Sequence, residues 1–407
     1  MSKLKYVVRV GDGMGDFPLP ELGGRTPLEA AYTPAMDYIA EYGQMGQVQT
    51  IPQGFPPGSD VANLSLLGYC PKEVYSGRSS LEAASMGVDL KEGETAFRCN
   101  LVTLSNGPDG LSMQDYCGGH ISTEEAAELI KELDCRLGNE MIKLYPGVSY
   151  RHLLVYRGDI TGLATFPPHD YTGQNVDKLW AKYRAVPEIM EFMESGRAVL
   201  DDHPVNRKRQ KAGKLPANGV WLWGEGTTPV MPTLREKYGI SGTLISAVDL
   251  LKGIAVYAGL AAPDIDGATG YLDTNYEGKV SAALKALEKD DFVFLHVEAP
   301  DETGHQGVVA DKIKAIEDFD RQVVKPVLEA LKGGPDFRLI VCMDHLTPVS
   351  LKTHTSHPVA FALLDSRRQE KNSGLTYSEK NGESTGLRLA DGEEFFRFLL
   401  QNSYSGG

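Results

Sequence analysis

The chain has 407 residues, 42% of them hydrophobic and 24% charged, and a formal net charge of −14. That length suits two domains, and that composition suits an ordinary globular protein with a real core. The acidity argues against a sequence-independent nucleic-acid binder, which needs a basic face, and no apolar stretch approaches the roughly 20 residues of a membrane span. A small anionic substrate stays open, because a few arginines or a metal make a local positive site. The start, Met1-Ser2-Lys3-Leu4-Lys5, leads straight into a strand-like run without a signal peptide, which predicts a cytoplasmic protein. The five cysteines (Cys70, Cys99, Cys117, Cys135, Cys342) form no CxxC pair and read as buried free thiols.

In chain order, 6–10 reads as a buried strand running into Gly11-Asp12-Gly13-Met14-Gly15-Asp16. Residues 34–42 read as a helix that Thr33 can cap, Pro34 can open and Gly43 can end. A strand pattern restarts at 97–104. Ser122-Thr123-Glu124-Glu125 is a capping box before a helix with Ala126, Leu129, Ile130 and Leu133 on one face. Residues 166–228 are rich in Pro, Gly, His and Arg, with Trp221 and Trp223 close together. Apolar runs at 292–297, 337–343 and 359–364 read as core strands, with a helix around 312–331 carrying Ile313, Ile316, Phe319, Val323 and Val324. Residues 367–386 read as polar surface loop and 389–400 as a short amphipathic helix. The alternation predicts an α/β fold with a largely parallel sheet from 1–94 and 236–407, interrupted by an inserted α/β domain at 95–235.

Four short segments carry chemistry, and most follow a predicted strand, where open α/β sheets place their sites. Asp12 sits in a GDG turn, where an Asp forms the turn more often than it binds an ion. In Pro56-Pro57-Gly58-Ser59-Asp60, Ser59 is set before a helical run. There its hydroxyl is either an N-cap or a group held where backbone N–H can bind phosphate. Asp301 and His305 lie one helical turn apart, so both can face one ion. Asp344-His345 follows the strand 337–343, with His354 close behind. Any one pair can be a surface accident; three Asp/His elements at strand ends point to a metal centre. Mixed carboxylate and imidazole donors suit Mn²⁺ or Zn²⁺, and a paired site can clamp a phosphoryl group while activating a serine. The chain has no GxxxxGK[ST] loop, protein-kinase signature or GxSxG elbow.

Taken together, GDGMGDFPLPELGG, TPLEAA, GSDVANLSLLGY, GGHISTEEA, YPGVSYRHLLV, ISAVDLLKGI, GATGYLDTNYEGK, HVEAPDETGH and DHLTPVSLKTHT resemble the archaeal-type, 2,3-bisphosphoglycerate-independent phosphoglycerate mutases, over about residues 5–364. The resemblance implies an alkaline-phosphatase-like sheet with helices on both faces, split by a substrate-binding lid domain. It implies interconversion of 3- and 2-phosphoglycerate through a phosphoserine at Ser59, with two divalent ions, Mn²⁺ foremost and Zn²⁺, Co²⁺ or Mg²⁺ as alternatives. Asp12, Ser59, Asp344 and His345 then resemble the ligands of one ion, and Asp301, His305 and His354 those of the other. His120, Arg151, His169, Asp170, Arg207 and Lys252 resemble contacts to a small phosphorylated carboxylate. Asn63 stands where the bacterial branch has histidine, and Leu346 where proline is expected. SYRHLL, LEAASMG, HPVNRKR and WLWG equally resemble members proposed as homoserine kinases, so that alternative stays open, as does a phosphomonoester hydrolase on the same fold. Neither nucleic acid nor membrane is an expected partner, and the oligomeric state is not legible.

Overall fold

Buried apolar runs build a seven-stranded sheet in a first unit made of Met1–Tyr75 and Val230–Gly407. The computed structural model describes residues 4–368 and 374–401, so the expectations for Met1 to Lys3, and for the 369–373 part of the polar loop, lie outside it. Numbered in chain order, the strands of this sheet are β1 (Lys5–Gly11), β2 (Gln44–Val48), β8 (Gly242–Ile245), β9 (Phe292–Val297), β10 (Phe337–Cys342), β11 (Val359–Asp365) and β12 (Arg388–Leu389). Their order is β12-β2-β11-β10-β1-β9-β8. The centre is parallel, with β1 between β9 and β10, and β8 beside β9. β11 runs antiparallel to both its neighbours. Every residue of β9, β10 and β11 is buried, as in strands covered on both faces. In register, Val10 lies beside Cys342, and Gly11 beside Val297. Three carboxyl ends therefore deliver Asp12, Asp301 and Asp344 to one edge of the sheet.

Helix Pro34–Tyr42 is present, but Thr33 makes no capping bond. The cap comes from Asp320, whose carboxylate accepts from the N–H groups of Ala35 (3.2 Å) and Met36 (2.7 Å). Asp320 opens a π-turn, Asp320–Val324, within the long helical segment 309–332, and burial raises its carboxyl to about 6. Gly43 ends the helix through close packing: a Cβ there would lie 2.2 Å from the Leu363 carbonyl. The polar stretch before residue 386 is less a loop than expected. It holds helix Glu379–Ser384 and a buried Tyr377, and Glu379 turns its carboxyl inward onto Asp16 N–H and the Thr26 hydroxyl. The closing segment gives β12 to the sheet and then helix Gly392–Leu400, capped by Asp391. Cys99, Cys117 and Cys342 are buried free thiols, but Cys70 is only half-buried and Cys135 is exposed.

The second unit is Ser76–Pro229. It begins earlier than the expected 95 because helix Arg78–Ser85 belongs to it: Glu82 pairs with Arg98 (3.0 Å) and Ser79 bonds the Gly224 carbonyl. Its strands β3 (Glu94–Gly107), β4 (Gly110–Asp115), β5 (Ile142–Tyr145), β6 (Arg151–Arg157) and β7 (Gly219–Thr227) pair antiparallel throughout. The Ser122/Glu125 capping box forms as read and opens helix Thr123–Leu137, whose apolar face joins Phe97, Leu101 and Trp221 in the core. Among the described residues no helix is long and apolar enough to cross a membrane.

Candidate metal centre

Asp12 leaves β1 into a turn that only glycine permits at position 13. Gly13 has φ +57°, and a Cβ there would lie 2.3 Å from Asp301 Oδ1. Helix Ala299–Gln306 brings His305 Nε2 to 3.2 Å from Asp301 Oδ2. His354 Nε2 lies 2.9 Å from His305 Nε2 and 3.4 Å from Asp301 Oδ1. On the other side, His345 Nε2 stands 3.2 Å from Asp12 Oδ1, 3.5 Å from Asp344 Oδ2 and 3.1 Å from Ser59 Oγ. Asp12, Ser59, Asp301, His305, Asp344, His345 and His354 are thus brought together in the first unit. Ser59 is not an N-cap: Gly58 occupies that position, and Ser59 begins helix Ser59–Leu66 with its hydroxyl turned to His345.

Neighbours fix how these groups point. His305 donates its Nδ1–H to the Lys352 carbonyl at 3.0 Å, and Lys352 adopts a left-handed φ of +57° to present it. Thr347 Oγ1 donates to Asp301 and lies 3.2 Å from His345 Nδ1. Both imidazoles therefore turn Nε2 inward, as metal-ligating histidines do. Asp344 Oδ1 accepts from the N–H groups of Gly13 (3.0 Å) and His345 (2.9 Å). Its Oδ2 accepts from Asn63 (2.8 Å), which also bonds the Ser59 carbonyl. Leu346, in place of the expected proline, bridges Met14, Gly15 and Thr355 and leaves both ligands in position.

Burial and the pairing of carboxylates with imidazoles set the electrostatics of the cluster. Burial, then the nearby Asp344 and Asp301, push the Asp12 carboxyl well above its usual range. Burial pushes Asp301 the same way, but hydrogen bonds from His305 and His354 outweigh it and hold that carboxyl low. The bond to Asp301 raises His305 to about 9, while burial lowers His345. Asp12 Oδ1 is buried without a hydrogen-bond partner. Among the described residues, three groups have donor atoms close enough for one ion each: Asp301/His305/His354, Asp12/Asp301/His345 and Asp12/His296/Asp344. All these donors are oxygen or imidazole nitrogen, a set that fits hard or borderline divalent cations.

Five of the six expected substrate contacts lie in the second unit and are exposed; Lys252 is half-buried. His120 (φ +50°) ends the turn Cys117-Gly118-Gly119, which Asp115 Oδ1 knits by accepting from the N–H groups of Cys117 and Gly119. Arg151 and His169 share an aromatic patch. Arg151 lies over Tyr150 (5.5 Å), and Tyr116 links Tyr150 to His169, which meets Trp223 edge-on at 5.5 Å. Asp170 sits 3.6 Å from His169 Nε2, and Arg207 pairs with Asp202. Lys252, in the first unit, pairs with Asp264 at 2.6 Å.

Sequence reasoning missed His296, Asn63, Thr347 and Arg209. A lone histidine in the apolar run Phe292–Val297 was a signal for the first. Arg209, almost fully buried, donates to the Gly118 and Gly119 carbonyls beside His120; nothing local in the sequence marks it.

A family model described as 2,3-bisphosphoglycerate-independent phosphoglycerate mutase matches residues 40–206. A Geobacter sulfurreducens protein named as a probable 2,3-bisphosphoglycerate-independent phosphoglycerate mutase is 49% identical, across 98% of this chain and 100% of its own. The Methanosarcina barkeri protein of that name is 48% identical over the same shares. The solved structure of a cofactor-independent phosphoglycerate mutase from Thermoplasma acidophilum matches with a TM-score of 0.66 and 26% identity, covering 98% of this chain and 99% of that one. The chain belongs to the 2,3-bisphosphoglycerate-independent phosphoglycerate mutase family.

Proposed function

We propose that the chain interconverts 3-phosphoglycerate and 2-phosphoglycerate, the step shared by glycolysis and gluconeogenesis, with Ser59 carrying the phosphoryl group. The observation that carries this reading is Ser59 Oγ, 3.1 Å from His345 Nε2 within the Asp/His cluster, in a chain whose full-length relatives bear the mutase name. Asp12, Ser59, Asp344 and His345 would hold one divalent cation, and Asp301, His305 and His354 the other. Mn²⁺ is expected, and Zn²⁺, Co²⁺ or Mg²⁺ suit similar donors. When bound, such cations neutralise phosphoryl oxygens and favour the serine alkoxide.

The chain's own groups do the rest. Asn63 pins the Ser59 carbonyl, and Ser59 stands in the first turn of helix Ser59–Leu66, the end of a helix where backbone N–H groups can meet phosphate. In the first half-reaction a Ser59 Oγ–P bond forms as the substrate O–P bond breaks. In the second, the glycerate's other hydroxyl takes the phosphoryl group and Ser59 is restored. His120, Arg151, His169, Asp170, Arg207 and Lys252 bind the phosphate, carboxylate and hydroxyls. The inserted domain acts as a lid that keeps water from the phosphoserine. We place the reaction in the cytoplasm. The kinase and hydrolase alternatives gain no support from the relatives. Purified protein loaded with Mn²⁺ should convert 3-phosphoglycerate without added 2,3-bisphosphoglycerate, followed by ³¹P NMR. Free phosphate as the sole product would establish a hydrolase; phosphohomoserine from homoserine and ATP would establish a kinase.

A further inference from the structure

Three successive residues of the second unit stand in the left-handed backbone region: Gly118 (φ +59°), Gly119 (φ +63°) and His120 (φ +50°). Glycine takes that conformation freely, whereas a residue with a Cβ is strained by it. Space fixes the two glycines as well. A Cβ on Gly118 would lie 2.9 Å from the Ala217 Cβ, and one on Gly119 would lie 2.8 Å from the Leu215 Cβ. A left-handed histidine persists only where its surroundings over-determine the backbone. Here they hold it from two sides.

On one side Asp115, the last residue of β4, accepts from the N–H groups of Cys117 (2.7 Å) and Gly119 (3.0 Å) with one oxygen. On the other, Arg209 reaches in from helix Pro204–Lys211 and is 2% exposed. Its Nη2 donates to the carbonyls of Gly118 (2.7 Å) and Gly119 (3.0 Å). Its Nε donates to the Leu215 carbonyl (3.0 Å), and its Nη1 to Glu125 (2.6 Å) of the capping box that opens helix Thr123–Leu137. One planar fork thus binds the turn, the segment after it in space and the helix start into one body, which the point charge of a lysine cannot span. A buried cation is tolerated only when satisfied in this way. A turn that merely had to close would need neither the buried fork nor a strained residue at its end. His120 itself is exposed, so its placement comes from the backbone beneath it.

We infer that Arg209 and Asp115 are positioning residues for His120: they hold the left-handed turn that sets where the imidazole meets the substrate phosphate. The inference rests on the proposed contact between His120 and substrate. A double-mutant cycle on the full-length, Mn²⁺-loaded protein tests it, read as KM and kcat for 3-phosphoglycerate. His120→Gly accepts the same φ and removes the imidazole; Arg209→Met removes the fork and keeps most of the buried volume. Each alone should raise KM about tenfold, with a smaller change in kcat. In the His120→Gly background, Arg209→Met should add less than about twofold, because a residue that acts through the imidazole has nothing left to act on. A merely structural arginine would multiply the two losses, to about a hundredfold. That product, or an unchanged KM in Arg209→Met, would overturn the positioning role and leave the His120 contact standing. An unchanged KM in His120→Gly would overturn the contact, and this inference with it. Circular dichroism checks the fold of each variant. If Arg209→Met does not fold, the same cycle with Asp115→Ala, which loosens the turn from the β4 side, decides by the same criterion.

Discussion

The two units place their chemistry in opposite ways. In the first, the candidate ligands stand at the ends of buried parallel strands: Asp12 is 3% exposed, and Asp344 and His345 are 0%. Their partners are backbone N–H groups and buried side chains, so the geometry exists before any ligand arrives. In the second, His120, Arg151, His169 and Arg207 are exposed, on turns, helices or strand ends, and Arg151, His169 and Arg207 rest on aromatic rings or a surface ion pair. Phosphoryl transfer needs a fixed cluster where charge develops, because preorganised dipoles cost nothing to arrange at the moment of reaction. Substrate capture and reorientation need groups free to move. The contrast predicts that changes in the first unit act on kcat, while changes in the second act on KM and on product partition.

The sharpest test of the first half is Ser59→Ala. It removes one hydroxyl and no core volume, so the fold should stand while kcat falls roughly a thousandfold or more. Circular dichroism checks the fold, and mass spectrometry of trapped enzyme checks for phosphate on Ser59. A variant that keeps its rate, or phosphate found on another residue, would sink the assignment.

The preorganised side also has a signature in pH. Lys312, fully buried, donates to the Gly15 carbonyl (3.0 Å), Asp16 Oδ2 (2.9 Å) and the Thr347 carbonyl (2.7 Å), tying together the loops that follow β1 and β10. Glu379 supports the same loop through Asp16 N–H, and burial raises its carboxyl from 4.5 to about 7. A folded-state value above the unfolded one means that the fold holds the proton more tightly. The stabilisation is therefore complete below about 4.5 and is lost as pH rises towards about 7, by roughly 3 kcal/mol. Glu379→Gln cannot lose it. The difference in urea stability between variant and unaltered protein should shift in the variant's favour across that window and stay level above it. A difference that does not change with pH would show that Glu379 is not held this way.

A smaller effect is expected from Thr347→Val, which keeps the shape but removes the bonds to Asp301 and His345. Loss of such an outer partner weakens metal affinity or activity by about 10–100-fold. Titration with Mn²⁺ measures it, and unchanged affinity and rate would mean that the cluster is held by its strand ends alone.

Thr347 also marks where the sequence stops being legible. Asp301 and His305 stood out because four residues make one helical turn. Asp12 and Asp344 stood out because each follows an apolar strand. Their supports act across long sequence separations: Lys312 on Gly15, Asn63 on Asp344, Glu379 on Asp16. No local pattern encodes such pairs. The Thr33 cap failed for the same reason, since the acceptor came from Asp320 on a distant π-turn. The second unit starts before the expected 95 because helix Arg78–Ser85 carries no local mark of its unit until Glu82 is seen against Arg98.

The last test asks whether the exposed side is a lid. Arg151 is exposed, its guanidinium lying over the Tyr150 ring, so Arg151→Ala should leave the second unit folded. Trp180, Trp221 and Trp223 all lie in that unit, and their fluorescence reports on it directly. Losing one charge-assisted bond to the substrate should raise KM by about tenfold. The informative quantity is the ratio of free phosphate to isomer. A glycerate held less firmly during reorientation leaves before it regains the phosphoryl group, and water then takes the phosphoserine. The ratio should therefore rise in Arg151→Ala, measured by ³¹P NMR on one sample. Isotope-labelled substrate should meanwhile show the phosphoryl group staying within one glycerate in the unaltered protein. Equal loss of isomer and phosphate in the variant, or exchange between molecules in the unaltered enzyme, would break the lid mechanism. The Asp/His cluster of the first unit would then be the whole catalytic device.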